Sequence, residues 1–389
     1  MDRFIEETPF FTDEHHRLAV GIAGFAAREI EPRARVEAGT DDEFRELLGL
    51  LAQADILRYS VAQGGADALD VRALCLIREA LSYHSSLADL AFVMQGLGTY
   101  AIGVAAPEHV REFWLARAAS GKSIAAFALT EPEAGSDVAS ITTTARREGD
   151  SYVINGRKCF ISNAGVADFY TVFARTGERD GRALISAFVV GARMQGFRLR
   201  ERTRLIAPHP IGEIEFDNLR VPAEDRVGAE GDGFALAMQT LDTFRASVGA
   251  AACGMARRAL DEAVAYAKHR QQFGVALATQ QLIQAKLADM ATQLDAARLL
   301  VYRAAYLKDM RGSNNGKSTS LTRVASEAKL FATEAAWRII DEAVQIHGGR
   351  GVVHGNTVER LYRDVRALRI YEGTSEIQKL VIAKELLKP

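Results

Sequence analysis

Seven of the eight prolines in this 389-residue chain fall at or before Pro222 and the eighth is the terminal Pro389, so residues 223–388 carry none. Proline removes a backbone donor and clashes with the preceding helical turn, so a proline-free stretch of this length leaves long helices open to the chain. Within it Leu287, Met290, Leu294, Ala297 and Val301 recur at intervals of three and four, the spacing of an apolar helix stripe. A second helix is expected from about Ser318 to Ile346 through Val324, Ala328, Phe331, Ala335 and Ile339. It should stop at Gly348-Gly349, glycines suited to a left-handed cap.

The first third also reads as helical, over residues 14–29, 42–54, 70–82 and 109–120, joined by short glycine- or proline-bearing turns. The middle differs: short β-branched and aromatic runs occupy 124–129, 141–144, 152–154, 169–173 and 185–190, and Asn155-Gly156 between two of them is the pair favoured in a two-residue hairpin turn. The order predicts an α+β chain with an N-terminal all-α domain (1–122), a middle β-barrel or sandwich (123–231) and a C-terminal domain like a four-helix bundle (232–389).

The 48 basic and 50 acidic residues are well mixed, with a formal net charge of -2, so no basic face for nucleic acid is announced and a small-molecule partner is expected. Cys75, Cys159 and Cys253 are odd in number and far apart, which argues against a disulfide framework and against a metal site. The first seven residues are acidic and lack the apolar or arginine-rich pattern of a targeting peptide, and no run approaches the roughly 18 apolar residues of a membrane span. A cytoplasmic location without membrane insertion is the expectation. Gly312 to Ser318 resembles a phosphate-binding loop but has three residues between its glycines where that loop has four, and it follows a helix, so it reads as an inter-helix loop.

Near the end, Ile370-Tyr371-Glu372-Gly373-Thr374-Ser375-Glu376-Ile377 places one carboxylate between an aromatic and a glycine just before an apolar helix. Glu372 is a general base with a raised pKa if it is desolvated there. It is otherwise a surface acid drawn to the positive end of a helix dipole.

Four motifs occur in order: Leu129-Thr130-Glu131-Pro132-Glu133-Ala134-Gly135-Ser136-Asp137, Arg270-Gln271-Gln272-Phe273-Gly274, Gln345-Ile346-His347-Gly348-Gly349-Arg350-Gly351 and Tyr371-Glu372-Gly373-Thr374. With the α–β–α order they make the whole chain resemble the acyl-CoA dehydrogenase family. The resemblance implies an FAD-dependent enzyme with its flavin between the β-domain and the C-terminal helices. Phe127, Leu129 and Thr130 would meet the flavin, with Gly135 and Ser136 offering small residues and free backbone N–H groups. Phe160-Ile161-Ser162 matches the family's aromatic-Ile-Thr/Ser segment, so Phe160 would cover a flavin face, where many relatives carry tryptophan, and Ser162 would bond near N5. A core phenylalanine is the other reading of Phe160.

By the same resemblance Arg270, Phe273 and Gln281 would contact the FAD of a neighbouring subunit, the arginine fork suiting a pyrophosphate. Gln345, Ile346 and Gly349 would approach the same diphosphate and adenine, and Thr374 and Glu376 would also reach FAD. A shared cofactor implies a homo-oligomer, a tetramer by resemblance. Glu372 would abstract the α-proton of an acyl-CoA while the β-hydride leaves to flavin N5, giving the trans-2-enoyl-CoA, with electrons passed to an electron-transfer flavoprotein, as in fatty-acid β-oxidation. Some relatives place the base where Phe244 stands here, and phenylalanine accepts no proton. Ser136, Asp242, Arg245, Tyr371 and Gly373 would touch the substrate, though Asp242 and Arg245 also suit a local helix ion pair.

Rival readings on the same scaffold are an acyl-CoA oxidase, a lyase or a dehydrogenase of carrier-protein thioesters; a non-catalytic acyl-CoA-binding paralogue is the rival of another class. The segment 83–98 aligns with the family's acyl-pocket helix. Glutaryl-type relatives have an arginine at the position of Ala88, which disfavours a dicarboxylate. Asp89 either contacts a polar acyl chain or is a solvated or capping acid. Glu133 stands where relatives carry a small residue, and the bulk of Phe244 hints at a short, branched or cyclic acyl group.

Overall fold

The computed structural model describes residues 2–34, 39–62, 64, 69–310 and 320–388. In chain order they form α1 (Arg3–Glu7), α2 (Asp13–Phe25), α3 (Glu31–Ala34), α4 (Asp41–Gln53), α5 (Val71–His84), α6 (Ser86–Ala105) and α7 (Glu108–Ala119). The strands follow: β1 (Ala125–Ala128), β2 (Thr144–Glu148), β3 (Ser151–Ser162), β4 (Phe169–Arg179), β5 (Arg182–Gly191), β6 (Phe197–Arg202), β7 (Ile211–Pro222) and β8 (Arg226–Val227). The remainder comprises α8 (Gly233–His269), the ribbon β9 (Gln271–Gln272) and β10 (Val275–Ala276), α9 (Gln281–Asp309), α10 (Leu321–His347), α11 (Thr357–Val365) and α12 (Ser375–Leu386). The fold class is α+β, as expected.

The chain divides into two compact units. The first comprises Met1–Glu37, Val71–Asp89 and Asp242–Pro389. In it α5 packs on α2 and α9, while α10 packs on α9, α11 and α12. The proline-free region does form the three longest helices, α8, α9 and α10, of 37, 29 and 27 residues. Helix α9 buries Met290, Leu294, Ala297 and Val301, and α10 buries Val324, Ala328, Ala335 and Ile339. Phe331, expected on the α10 stripe, stands at its edge and is 38% exposed. Helix α10 starts at Leu321, capped by Ser320, whose Oγ accepts from Arg323 N at 3.2 Å. The expected start at Ser318 and the Gly312 to Ser318 loop lie outside the described residues. Gly348 ends α10 at φ +59° and ψ −139°, a positive φ but outside the left-handed helical region.

The second unit, Ala38–Asp70 and Leu90–Leu241, holds one mixed sheet ordered β6-β7-β3-β2-β4-β5-β8, with β1 parallel to β4. Its core joins Ala101 and Ile102 of α6 and Val110 and Leu115 of α7 to Phe169, Phe173, Ile185 and Val189 of β4 and β5.

Asn155-Gly156 is not a hairpin turn; it lies inside β3. The β2–β3 hairpin closes six residues earlier, at Gly149-Asp150, with Glu148 opposite Ser151. At Gly156 the register against β7 shifts and φ is +145°, and a Cβ there would sit 2.6–2.8 Å from Thr143 atoms. A bulge and a turn both select glycine for positive φ, so the same dipeptide marked the wrong device.

Helix α6 is the other departure. It is long and apolar enough by composition to cross a membrane, yet it is mostly buried inside the protein. It is a core helix whose scattered glycines and polar residues broke up the apolar run.

Candidate active site

Glu372 sits in the connection between the 3-10 turn Arg366–Arg369 and α12. Glu372 and Gly373 hold φ of +52° and +88° in succession. A glutamate at positive φ costs on the order of 1 kcal/mol, so the surroundings must impose it. Gln378, one turn into α12, donates Nε2 to Glu372 O at 3.1 Å and Gly373 O at 3.0 Å. Lys329 donates Nζ to Gly373 O at 2.7 Å. A Cβ on Gly373 would lie 2.6 Å from Gln378 Nε2, so the pinned loop requires glycine. Thr374 takes the N-cap of α12, Oγ1 accepting from Ile377 N at 3.3 Å.

The Glu372 carboxylate is therefore not a capping acid. Its Oε2 is enclosed and has no hydrogen-bond partner, although the residue as a whole is half-buried. Burial raises its pKa above the usual carboxylate range; the cations Arg78, Lys329 and Arg245 oppose that rise and Asp89 adds to it.

Those neighbours come from the helices of the first unit. Arg78 on α5 is buried and grips Asp89 bidentately, Nε to Oδ1 at 2.8 Å and Nη2 to Oδ2 at 2.7 Å. Arg78 also donates Nη1 to Ser247 Oγ at 2.9 Å and bonds the Tyr371 side chain. Asp89, 4% exposed, is thus neither solvated nor a cap; it is a buried counter-ion. Asp242 and Arg245 of α8 do form the local pair, and Asp242 Oδ2 accepts from Thr322 Oγ1 at 2.7 Å. Phe244 is fully buried. Burial holds the Lys329 amine down at about 8 against the pull of Glu372. Arg78, Lys329 and Gln378 belong to no motif; their one signal was a charge or amide set within apolar helical stretches.

In the second unit Phe127 packs on Phe173 with ring centroids 5.0 Å apart, Leu129 is buried, and Gly135 and Ser136 are exposed. Thr130 O accepts from Cys159 N at 3.0 Å, which ties the loop to β3. Beside it Lys158, buried, donates to Leu129 O at 2.9 Å and Glu131 Oε1 at 2.8 Å, while Glu131 Oε2 takes Thr142 N and Oγ1. Phe160 is not a core phenylalanine: it is 61% exposed and held at φ +52° where β3 slips register between Lys158 and Ile161. Ser162 Oγ meets His209 Nε2 at 2.8 Å, and burial pushes that imidazole down to about 4.

Arg270, Phe273 and Gln281 cluster around the β9–β10 ribbon, all exposed, with Phe273 96% exposed at φ +54° in its turn. Gln345 and Gly349 are exposed at the end of α10, whereas the Ile346 side chain is buried. Glu376 is exposed, its pKa lowered by its hydrogen bonds at the α12 N-terminus.

Three family models match the chain: the N-terminal, middle and C-terminal domains of acyl-CoA dehydrogenase, over residues 12–122, 126–219 and 231–387. Among similar proteins is the 3-(aryl)acrylate reductase of Clostridium sporogenes, 42% identical over 385 residues, covering 97% of this chain and 100% of its own. Another is a subunit of the caffeyl-CoA reductase-Etf complex of Acetobacterium woodii, 37% identical over 384 residues, covering 97% and 100%. A solved acyl-CoA dehydrogenase from Bacillus anthracis complexed with FAD superposes with TM-score 0.89 at 32% identity, over 97% of this chain and 68% of that one.

Proposed function

This chain belongs to the acyl-CoA dehydrogenase family of FAD-dependent oxidoreductases, and within it we propose that the protein dehydrogenates an acyl-CoA thioester across its α,β-carbons with Glu372 as the base. The observation that carries this reading is the enclosed, unpaired Oε2 of Glu372. An α-C–H beside a thioester is a weak acid, so its removal needs a strong base in a low-dielectric pocket and a donor for the developing enolate oxygen. Burial supplies the first. The Glu372 N–H supplies the second, since it makes no hydrogen bond within the described residues.

FAD is the cofactor, and when bound it supplies the acceptor for the hydride leaving the β-carbon. The residues fit such a group: Phe160 is an aromatic face held out at positive φ, and at Gly135 an added Cβ would meet nothing within 4 Å. We assign its contacts to Phe127, Leu129, Thr130, Gly135, Ser136, Phe160, Ser162, Thr374 and Glu376, and contacts to a neighbouring subunit's FAD to Arg270, Phe273, Gln281, Gln345, Gly349 and the backbone of Ile346. Substrate contacts fall to Ser136, Asp242, Arg245, Tyr371 and Gly373. The matched family segments support a division into 1–122, 123–231 and 232–389. A homotetramer in the cytoplasm completes the reading, and the Etf-complex relative supports an electron-transfer flavoprotein as acceptor.

Two relatives named as reductases favour a second reading, reduction of an unsaturated or aryl-substituted acyl thioester by the same groups in reverse. A Glu372 with raised proton affinity suits proton donation as well as abstraction. Rates in both directions over a panel of saturated, branched, cyclic and arylacrylyl-CoA thioesters decide between them. Glu372→Gln is expected to retain FAD while turnover falls by roughly two to four orders of magnitude. Undiminished turnover in that variant would remove Glu372 from the chemistry.

A further inference from the structure

Three cations on three helices act electrostatically on the Glu372 carboxylate, and Arg78 also bonds the side chain of the adjacent Tyr371, yet none of the three makes a hydrogen bond to that carboxylate. Arg78 on α5 grips Asp89 and Ser247. Arg245 on α8 pairs with Asp242, and Lys329 on α10 donates to Gly373 O. The other charged and titratable groups of this cluster are Asp89 at the start of α6, the Tyr371 hydroxyl, and Glu334 and Glu376, both of which act on Lys329.

Opposite charge within about 4–6 Å ordinarily lowers a carboxyl pKa by about 1–3 units, and an arginine fork with a free face binds a carboxylate bidentately. Here that face is occupied. Asp89 takes Nε and Nη2 of Arg78, the pair of donors that would otherwise chelate a neighbouring carboxylate. Both partners are buried, so their mutual attraction is little screened.

We propose that Asp89 is a positioning residue for proton transfer at Glu372, a decoy carboxylate that occupies the Arg78 fork and so keeps the base unpaired. The inference rests on Glu372 being the base. It explains why an acid lies buried in helix α6: Asp89 is 4% exposed and both its oxygens are engaged by Arg78, which makes it a counter-ion to that arginine.

The test compares Asp89→Asn, Arg78→Met and the double variant by two readouts. One is the pH dependence of kcat/KM. The other is the infrared carboxyl stretch of Glu372, assigned by its loss in Glu372→Gln, which titrates without turnover. Asp89→Asn frees the fork to bind Glu372, so the titration midpoint moves down by about one unit or more and kcat falls more than KM changes. Arg78→Met leaves Asp89 uncompensated beside Glu372, so the midpoint moves up. The double variant returns the midpoint towards that of the parent protein.

A pair with a purely structural role lowers kcat in all three variants with the midpoint unmoved, and that result overturns the proposal. If one single variant does not fold, the other single variant and the double decide it. A fully active Glu372→Gln removes the base reading and this role with it, whereas an inactive Glu372→Gln with an unmoved midpoint overturns only the role of Asp89.

Discussion

Phe160 combines two unfavourable states, a β-carbon at positive φ and a large apolar side chain left 61% exposed. The backbone strain costs on the order of 1 kcal/mol, and the exposed ring fits the flavin-covering role proposed for it. Phe160→Gly is therefore expected to leave the apoprotein as stable or about 1 kcal/mol more stable in thermal unfolding, while FAD retention on gel filtration falls. A glycine variant that holds FAD as tightly as the parent would contradict the assigned contact.

Glu131 is the opposite case, a residue of the motif that serves the framework. Burial pushes its carboxyl up, but Lys158 and the Thr142 and Thr143 donors outweigh it and hold it at about 2. The folded state then binds fewer protons than the unfolded one between pH about 4.5 and about 2, so the contribution is intact above that window and lost as pH falls through it. Glu131→Gln is expected to flatten the acid limb of a stability-pH profile there and to cost about 3–5 kcal/mol at neutral pH, since it strands the buried Lys158.

At the scale of elements, glycines with positive φ do different work according to what lies beside them. Gly149 turns the β2–β3 hairpin at φ +62° with nothing near an added Cβ, whereas Gly156 abuts the Thr143 backbone. Gly149→Asn should change denaturant stability by less than about 1 kcal/mol, and Gly156→Ala should cost about 2 kcal/mol or more. Equal losses at both sites would mean that the bulge is not where the constraint lies.

Helices α8 to α10 were legible because a 3.6-residue stripe survives wherever one face is buried and no proline interrupts it. The edge strand β6, Phe-Arg-Leu-Arg-Glu-Arg, was not, because it is largely exposed and its charged residues conceal the alternation. Strand β7 was missed as well, although Glu213 to Asp217 alternates acidic and apolar residues, the period-2 pattern of a half-buried strand.

For the whole molecule, the β9–β10 turn presents Phe273 almost fully to solvent, with Leu282 nearby in sequence and 80% exposed. Apolar side chains on that scale are the mark of a surface that another chain covers. Light scattering on the native protein is expected to give a homotetramer, and Phe273→Asp is expected to lower both its assembly state and its FAD content. A monomeric native protein with full FAD content would refute the shared-cofactor arrangement.

Motif order and residue type determined the family, the cofactor and the identity of the candidate base, because those depend on short segments whose backbone chemistry is local. Local sequence around Glu372 suits a base and a surface acid equally, and only the other motifs tip it to the base, while Asp89 reads as a solvated or capping acid or a substrate contact. The tertiary structure encloses one oxygen of Glu372 and pairs Asp89 with Arg78. A pKa is set by what lies within a few ångströms, and Arg78, Asp89, Arg245 and Lys329 come from four helices that only folding brings to one carboxylate.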